Sequence, residues 1–350
     1  MPRCFVPAPG RGEPSSPRGK VDQRVFDKRR EGSLDSVHFG VLGTGRRPPV
    51  RVLLLVALAA VWVCGCSPQR APGAVEDSLT SGRISVVCAA EVLSIIAREV
   101  AAFDSLYPGA EIVVRSGSSR EAVQALFAAQ CDLAAITRDL EPDERGAAVR
   151  GGLALEGYRF ARDGVALVVH ASNAVENVAL EDVRGIYQGV VKRWDALGGS
   201  TSAIEPVIQP PGSDMAAYFE QRVMNGEPVR APVVYETSDS GVVAFVSHHP
   251  GAIGFVSLAW ADRGARALRL ASLKGLGYWR PDPEAVYRGD YPLTRYMNLY
   301  ARSGGPALAN GLITFITSRE GQRLVHDGGL VPTAVPVRFV RRSPMMGSHK

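Results

Sequence analysis

Three short stretches of this chain place hydroxyl and charged side chains beside a helix start. The first is Ser116-Gly117-Ser118-Ser119-Arg120. It lies between the apolar run Ile112-Val113-Val114 and a segment that repeats apolar residues at Val123, Leu126 and Phe127. A helix start carries unpaired N–H groups and about half a positive charge, which together attract anions. Gly117 permits close approach of the backbone. Ser118 and Ser119 add hydroxyl donors, and Arg120 adds a guanidinium that can grip an oxyanion at two points. Simple capping of the helix by Ser118 or Ser119 accounts for the same residues equally well.

The second stretch is Thr137-Arg138-Asp139, directly after the strand-like Leu133–Ile136. Ligands of open α/β sheets gather at the carboxyl ends of parallel strands. The plain alternative is a surface turn in which Arg138 pairs with Asp139 or Glu141. The third is Gln209-Pro210-Pro211-Gly212-Ser213-Asp214, which joins a strand (Pro206–Ile208) to a helix. Gly212 and Ser213 present N–H and hydroxyl groups to an anion. Asp214 works against this, because a first-turn carboxylate suits the helix dipole and repels an anion; capping has the edge here. The sequence contains no G-x-S-x-G, H-E-x-x-H or Walker A pattern and no metal-ligand spacing. The pair His248-His249 before Pro250 reads as a solvated helix end. Three anion-friendly helix starts without a nucleophile–base pair point to binding rather than turnover, with no catalytic residue, metal or cofactor.

The elements that must carry these loops follow an α/β rhythm. Ile84-Ser85-Val86-Val87 reads as a strand, and Val92, Ile95, Ile96, Val100 and Phe103 recur at helical spacing up to the stop Tyr107-Pro108-Gly109. Further strands are expected at 112–114, 133–136, 165–169 and 252–256. Helices are expected at 180–187, 213–223, 240–247 and 308–316, with a further turn or helix at 321–325. Alternating strands and helices at this pace imply an α/β fold with a mixed, largely parallel sheet.

The N-terminal part has a different character. The twelve apolar residues Val52–Val63 follow Arg46, Arg47 and Arg51 and run into Cys64-Gly65-Cys66. As a helix they would rise about 18 Å, against a hydrocarbon core of about 30 Å, too short to span and suited to the apolar region of a secretory signal. The ending resembles a bacterial lipobox, with Cys66 as the lipidated first residue of the mature chain. Residues 1–45, rich in Pro, Gly, Arg and Ser, read as a disordered or over-extended leader, the true start falling near Val41 or Val50. A signal at 46–66 and a tether at 67–80 follow. Removing residues 1–66 leaves 29 of the 40 basic and 30 of the 35 acidic residues, so the formal charge of +5 becomes −1. The basic excess leaves with the leader, which argues against a nucleic-acid partner. Cys66, Cys88 and Cys131 survive processing; the last two read as buried thiols, and no spacing argues for a disulfide.

From Ser116 onward the motifs, taken in order, resemble the phosphate-binding periplasmic protein family of ABC transporters. The Ser116–Arg120 loop with Asp132-Leu133-Ala134-Ala135-Ile136-Thr137-Arg138 is similar to that family's "GSG…D(I/L)A…SR" run. Asp163-Gly164-Val165-Ala166 with Asn173, Tyr187, Gly189 and Trp194 is similar to "DGIA…N…IFxG…W". His249-Pro250-Gly251-Ala252-Ile253-Gly254-Phe255 resembles "xPGAIGY", Tyr291-Pro292-Leu293-Thr294-Arg295 resembles "YPLSR", and Ser318 to Gln322 with Gly329 to Pro332 resembles "SxEGQ…GxVP". The likeness covers about residues 83–335. It implies a two-lobed α/β fold of the periplasmic-binding-protein type, with lobe 1 at about 81–163 plus 291–340 and lobe 2 at about 164–290.

The resemblance also implies capture of an oxyanion, most simply phosphate, in a cleft between the lobes. Delivery would be to an inner-membrane ABC permease, from a periplasmic or extracytoplasmic position held by a lipid anchor. The implied ligand residues are Ser118, Ser119, Thr137, Arg138 and Ser213, with Arg120 as a substitute cation and Ala89 and Gln209 at the aligned family positions. Two loops depart from the pattern. The first is Cys88-Ala89-Ala90-Glu91, which lacks the family's hydroxyls and adds a carboxylate. In the third, Gln209, Asp214 and Met215 stand where the family has Arg, Gly and Thr. Charged hydrogen bonds contribute about 1.5–3 kcal/mol each, so these losses amount to orders of magnitude in affinity unless Arg120 and Arg138 compensate. A degenerate relative acting as a sensor or interaction module is the alternative, and a secreted hydrolase on the same scaffold is a more distant one.

Overall fold

The computed structural model describes residues 77–333, which fall within one compact unit of the chain, 70–350. The leader (1–45), the signal with Cys66 (46–66) and most of the tether (67–80) lie outside the described residues. In chain order the elements are β1 (Gly82–Ala89), a 3-10 turn (Ala90–Val92), α1 (Leu93–Leu106), β2 (Ala110–Gly117), α2 (Ser119–Phe127), β3 (Leu133–Ile136), α3 (Pro142–Arg150) and β4 (Leu155–Val169). Next come β5 (Asn177–Ala179), α4 (Leu180–Tyr187), a 3-10 turn (Trp194–Leu197), β6 (Glu205–Ile208), α5 (Asp214–Arg222), β7 (Val234–Tyr235), α6 (Asp239–His248) and β8 (Ala252–Ser257). A 3-10 turn (Leu258–Trp260), β9 (Arg266–Ala267), β10 (Arg269–Ala271), α7 (Pro283–Arg288), β11 (Thr294–Arg302), α8 (Ala307–Thr317), α9 (Arg319–Asp327) and β12 (Val331–Pro332) complete it.

The main sheet runs β2-β1-β3-β11-β4-β8-β6-β7, with β9 and β12 also on β4. β1 pairs in parallel with β2 and β3, and β6 pairs in parallel with β7 and β8. The two parallel groups are joined through antiparallel β11 and β4. The fifteen-residue β4 does the joining: Leu155–Gly164 pairs with β11, and Val165–Val169 pairs with β8. Only Val165–Val169 reads as a strand in the sequence. Its N-terminal half carries Glu156, Arg159 and Arg162 and has no apolar run, so pairing to β11 rather than local pattern makes it a strand. At the changeover Gly164 is packed so closely that a Cβ there would lie 2.7 Å from Val286 Cγ2.

Each parallel group has its own core. One gathers Ile84, Val86, Ile95, Ile96, Phe103, Phe160, Leu299 and Leu312. The other gathers Val165, Leu167, Tyr187, Trp194, Phe219, Phe255 and Tyr291. In the second, Phe219 and Phe255 stack with centroids 3.9 Å apart. The polar tips of its aromatics find carbonyls: Trp194 Nε1–H donates to Gly251 (3.0 Å) and Tyr291 O–H to Val165 (2.9 Å). The molecule is therefore two α/β lobes connected by β4 and β11. Cys88 and Cys131 are buried free thiols, and burial pushes both up to about 11. His248 and His249 end α6, their Nδ1–H groups donating to the carbonyls of Ala244 and Phe245. Among the described residues no helix is long and apolar enough to cross a membrane.

Candidate functional site

Four helix starts converge on one cavity of about 310 Å³. Lobe 1 contributes Ala90 and Glu91 from the 3-10 turn, Ser94 from the first turn of α1, and Gly117 and Ser118 at the start of α2. Lobe 2 contributes Ser213 and Asp214 at the start of α5, and Ser238, Asp239 and Ser240 at the start of α6. Gln209 and Trp260 close the wall. Local sequence caps three of the four starts. Ser118 caps α2 and forms a capping box with Glu121: its Oγ accepts from Glu121 N–H (3.2 Å), and its own N–H donates back to Glu121 Oε2 (2.7 Å). Ser213 caps α5 through Ala216 N–H (3.2 Å), and Ser238 caps α6 through Gly241 N–H (3.1 Å).

The cavity gathers helix ends but has no basic side chain on its wall. Its ionisable residues are Glu91, Asp214 and Asp239. Gln209 is buried and donates from Nε2 to Asp239 Oδ1 (2.8 Å); Ser257 N–H donates to the other oxygen (3.2 Å). Burial first, and then the charge of Glu91, pushes the Asp239 carboxyl up to about 7. Burial also raises Glu91, with Arg295 acting against the rise.

Behind Glu91, where the lobes meet, sits a buried ion cluster. Arg295, at the start of β11, donates from Nε (3.1 Å) and Nη2 (2.9 Å) to Asp163 of β4, and its Nη2 lies 2.6 Å from Glu91 Oε2. Asp163 is fully buried and also accepts from Ser257 O–H (2.8 Å) and Leu258 N–H (3.1 Å). Burial alone would lower the Arg295 pKa; Glu91 and Asp163 reverse this and raise it.

The candidate residues divide between two cavities. Ser118, Ser213 and Gln209 face the first. Arg120, Thr137 and Arg138 line a second, of about 360 Å³, which Asp214 also lines. Ser119 is wholly buried between them. Its N–H donates to both oxygens of Asp214 (2.9 and 3.2 Å), its O–H donates to Oδ2 (2.7 Å), and its Oγ accepts from Thr137 N–H (3.1 Å). Ala89 is buried in the β1 end, and it is Ala90 that reaches the cavity. Arg138 is held by a two-point pair to Glu144 (2.7 and 2.8 Å) and lies 3.6 Å from Glu141. Burial would lower its pKa, but Glu144 raises it. The ion-pair alternative for Arg138 therefore describes its geometry, with Glu144 rather than Asp139 as chief partner. Asp214 caps neither its own helix nor the cavity mouth but the start of α2.

Sequence reasoning assigned no role to Arg295, Asp163 or Asp239, although Arg295 and Asp163 stand inside the quoted motifs. Among the described residues neither cavity is lined by histidine or cysteine. A larger cavity, about 660 Å³ between α7 and α9, contains none of the candidate residues.

Residues 73–320 match the model of the PBP superfamily domain. The phosphate-binding protein PstS of Bacillus subtilis is 28% identical over 182 residues, covering 51% of this chain and 58% of that protein. Protein SphX of Synechococcus elongatus is 24% identical over 228 residues, 60% of this chain and 67% of that one. The chain thus spans little more than half the length of the Bacillus relative. A substrate-binding protein from Clostridium perfringens, solved with bound phosphate, superposes with a TM-score of 0.62 at 22% identity, over 72% of this chain and 100% of that one. An ABC-type phosphate transport receptor from Vibrio cholerae gives 0.61 at 22%, over 71% and 99%. Those identities speak for the shared two-lobed fold. The family match establishes that the chain belongs to the PBP superfamily, and the sequence matches that it is homologous to the PstS phosphate-binding proteins.

Proposed function

We propose that this chain is an extracytoplasmic solute-binding lipoprotein. It captures an oxyanion, most simply phosphate, between its lobes and presents it to an ABC permease, with Cys66 as the lipidated anchor. The observation that carries the reading is the convergence of four helix starts, two from each lobe, on one cavity. N–H groups and hydroxyls there supply directional donors without a free cation. The carboxylate of Asp239 refines the choice of anion. An anion that keeps a proton near neutral pH, as phosphate does, can donate a hydrogen bond to it, whereas fully ionised sulfate has no proton to donate. The names of the relatives, which bind or transport phosphate, agree with this reading. Titration calorimetry with phosphate, sulfate and molybdate tests it: binding of phosphate in preference to sulfate is the expected result, and no heat with any of the three would sink it. Mass spectrometry of the membrane fraction tests the anchor through the expected diacylglyceryl adduct on Cys66.

A second reading has a specific observation behind it. Arg138 is committed to Glu144, and Asp214 fills the start of α2. A chain whose anion contacts are met from within suits a sensor or interaction module with an altered ligand or none, and the same titration separates the two.

A further inference from the structure

The start of α2 already holds an anion, and that anion belongs to the protein. Asp214 stands in the first turn of α5 in lobe 2, and Ser213 caps that helix without its help. Its carboxylate instead crosses to lobe 1, where it takes three bonds from Ser119: N–H to both oxygens and O–H to one. Charge-assisted bonds from a helix start are how a free oxyanion is held. Ser119 is fully buried while Asp214 is partly so, which leaves the carboxylate within reach of a solute in the cleft. Asp214 also lines both cavities of the cleft, with Arg120 and Arg138 beyond it on one side and Ser118 on the other. The carboxylate is thus both a partition of the cleft and a bond between the lobes.

We propose that Asp214 is an internal ligand. Its carboxylate holds the lobes together while the cleft carries no solute, and a tetrahedral oxyanion enters by displacing it from the start of α2. Displacement removes the partition and joins the two cavities, so that the solute can meet the α2 start and the Arg120–Arg138 side at once. The solute class rests on the oxyanion reading above; the bond between the lobes does not. Closure then depends on which carboxylate or oxyanion occupies Ser119, and the protein's own group sets a threshold that the solute must exceed.

The experiment is small-angle scattering of the phosphate-free protein together with phosphate calorimetry, on wild type, Asp214→Ala and Asp214→Asn. Thermal melts confirm that each variant is folded, and the isosteric Asp214→Asn serves if the alanine variant is not. The expected result is a larger radius of gyration for the phosphate-free variants and at least tenfold tighter phosphate binding, equivalent to about 1.4 kcal/mol. Variants as compact as wild type would overturn the proposal. So would an expanded variant that binds phosphate more weakly, since Asp214 would then serve the solute instead of competing with it. Expansion without anion binding by any of the three proteins leaves the internal bond standing and removes the oxyanion reading alone.

Discussion

Two arginines mark two regions of the cleft and are used in opposite ways. Arg295 is buried where the lobes meet, between Asp163 and Glu91. Arg138 is half-buried beside Thr137 and is gripped by Glu144 from its own lobe. Both cations are neutralised inside the protein, so neither is free to meet a solute. What remains for an anion in the first cavity is the set of helix starts, whose attraction is directional and short-ranged. Selectivity then rests on where hydrogen-bond donors and acceptors point more than on net charge. The difference between the regions lies in what each ion pair supports. Arg295 ties β11 and β4, the strands that connect the lobes, to the cleft wall at Glu91, so it is part of the frame. Arg138 is tied locally, to the first turns of α3, and can be released without undoing that frame.

The largest effect is expected at the frame. Replacing Arg295 by Met leaves Asp163 and Glu91 buried without their cation. Breaking a buried pair from one side costs about 3–5 kcal/mol. Urea denaturation is expected to show a loss of that size, and a loss under about 1 kcal/mol would show that water or proton uptake relieves the cluster.

A buried acid without an arginine sharpens the same contrast. Glu99 on α1 is fully buried, and neither carboxylate oxygen has a hydrogen-bond partner. Burial pushes its carboxyl up to about 8, with Arg98 acting weakly against the rise. A folded-state pKa above the unfolded value of about 4.5 means that the protonated form is favoured by folding. The native state is therefore unpenalised below about pH 4.5 and loses stability progressively as pH rises toward 8. Glu99→Gln is expected to flatten that dependence and to raise stability at pH 8 by on the order of 2 kcal/mol. Melting curves from pH 5 to 9 decide it; parallel curves for the two proteins would assign the slope to other groups.

How much of this was legible in the sequence depended on how local each signal was. α4 follows its apolar spacing residue for residue, and α2, α5 and α6 begin at Ser118, Ser213 and Ser238, each a cap within three residues of the N–H it satisfies. The helix α3 was not expected, because Pro142–Arg150 has few apolar residues and is set by a proline start and the Glu141–Glu144 capping box. β11 was missed as well: Thr294–Arg302 mixes arginines with tyrosines, and its partners β3 and β4 are distant in sequence. The same distance hid the ion cluster. Arg295 and Asp163 are 132 residues apart, and only the pairing of β11 with β4 brings them together. Loop residues could be proposed one at a time; the partition of the cleft by Asp214 could not, because it is a relation between lobes.

A moderate effect is expected inside the cavity. Asp239, pushed up to about 7, is neutral below that pH and charged above it. Anion affinity is therefore expected to fall as pH rises through 7, by up to about tenfold. Sulfate or molybdate is the right probe, since phosphate itself titrates in this range. Asp239→Asn should remove the fall, and the same fall in the variant would place its origin elsewhere, with Glu91 the next group on the wall.

The smallest effect belongs to Arg138. Glu144 lies below its usual pKa range: burial opposes this, but the hydrogen bonds and charge of Arg138 prevail. Its stabilisation is present above about pH 4.5 and is lost as pH falls below that value. Glu144→Gln keeps the shape of the side chain and one acceptor but removes the charge that competes with a solute for the guanidinium. The expected cost is about 1 kcal/mol of stability, with the pair only partly shielded from water. The expected gain is a few-fold in phosphate affinity, larger when combined with Asp214→Ala, because only an undivided cleft lets a solute bound at Ser119 reach Arg138. A gain from Glu144→Gln alone that equals the gain in the double variant would mean that Asp214 does not divide the cleft. Strict dependence on the Asp214 change would tie the arginine at the rim to the partition beside it.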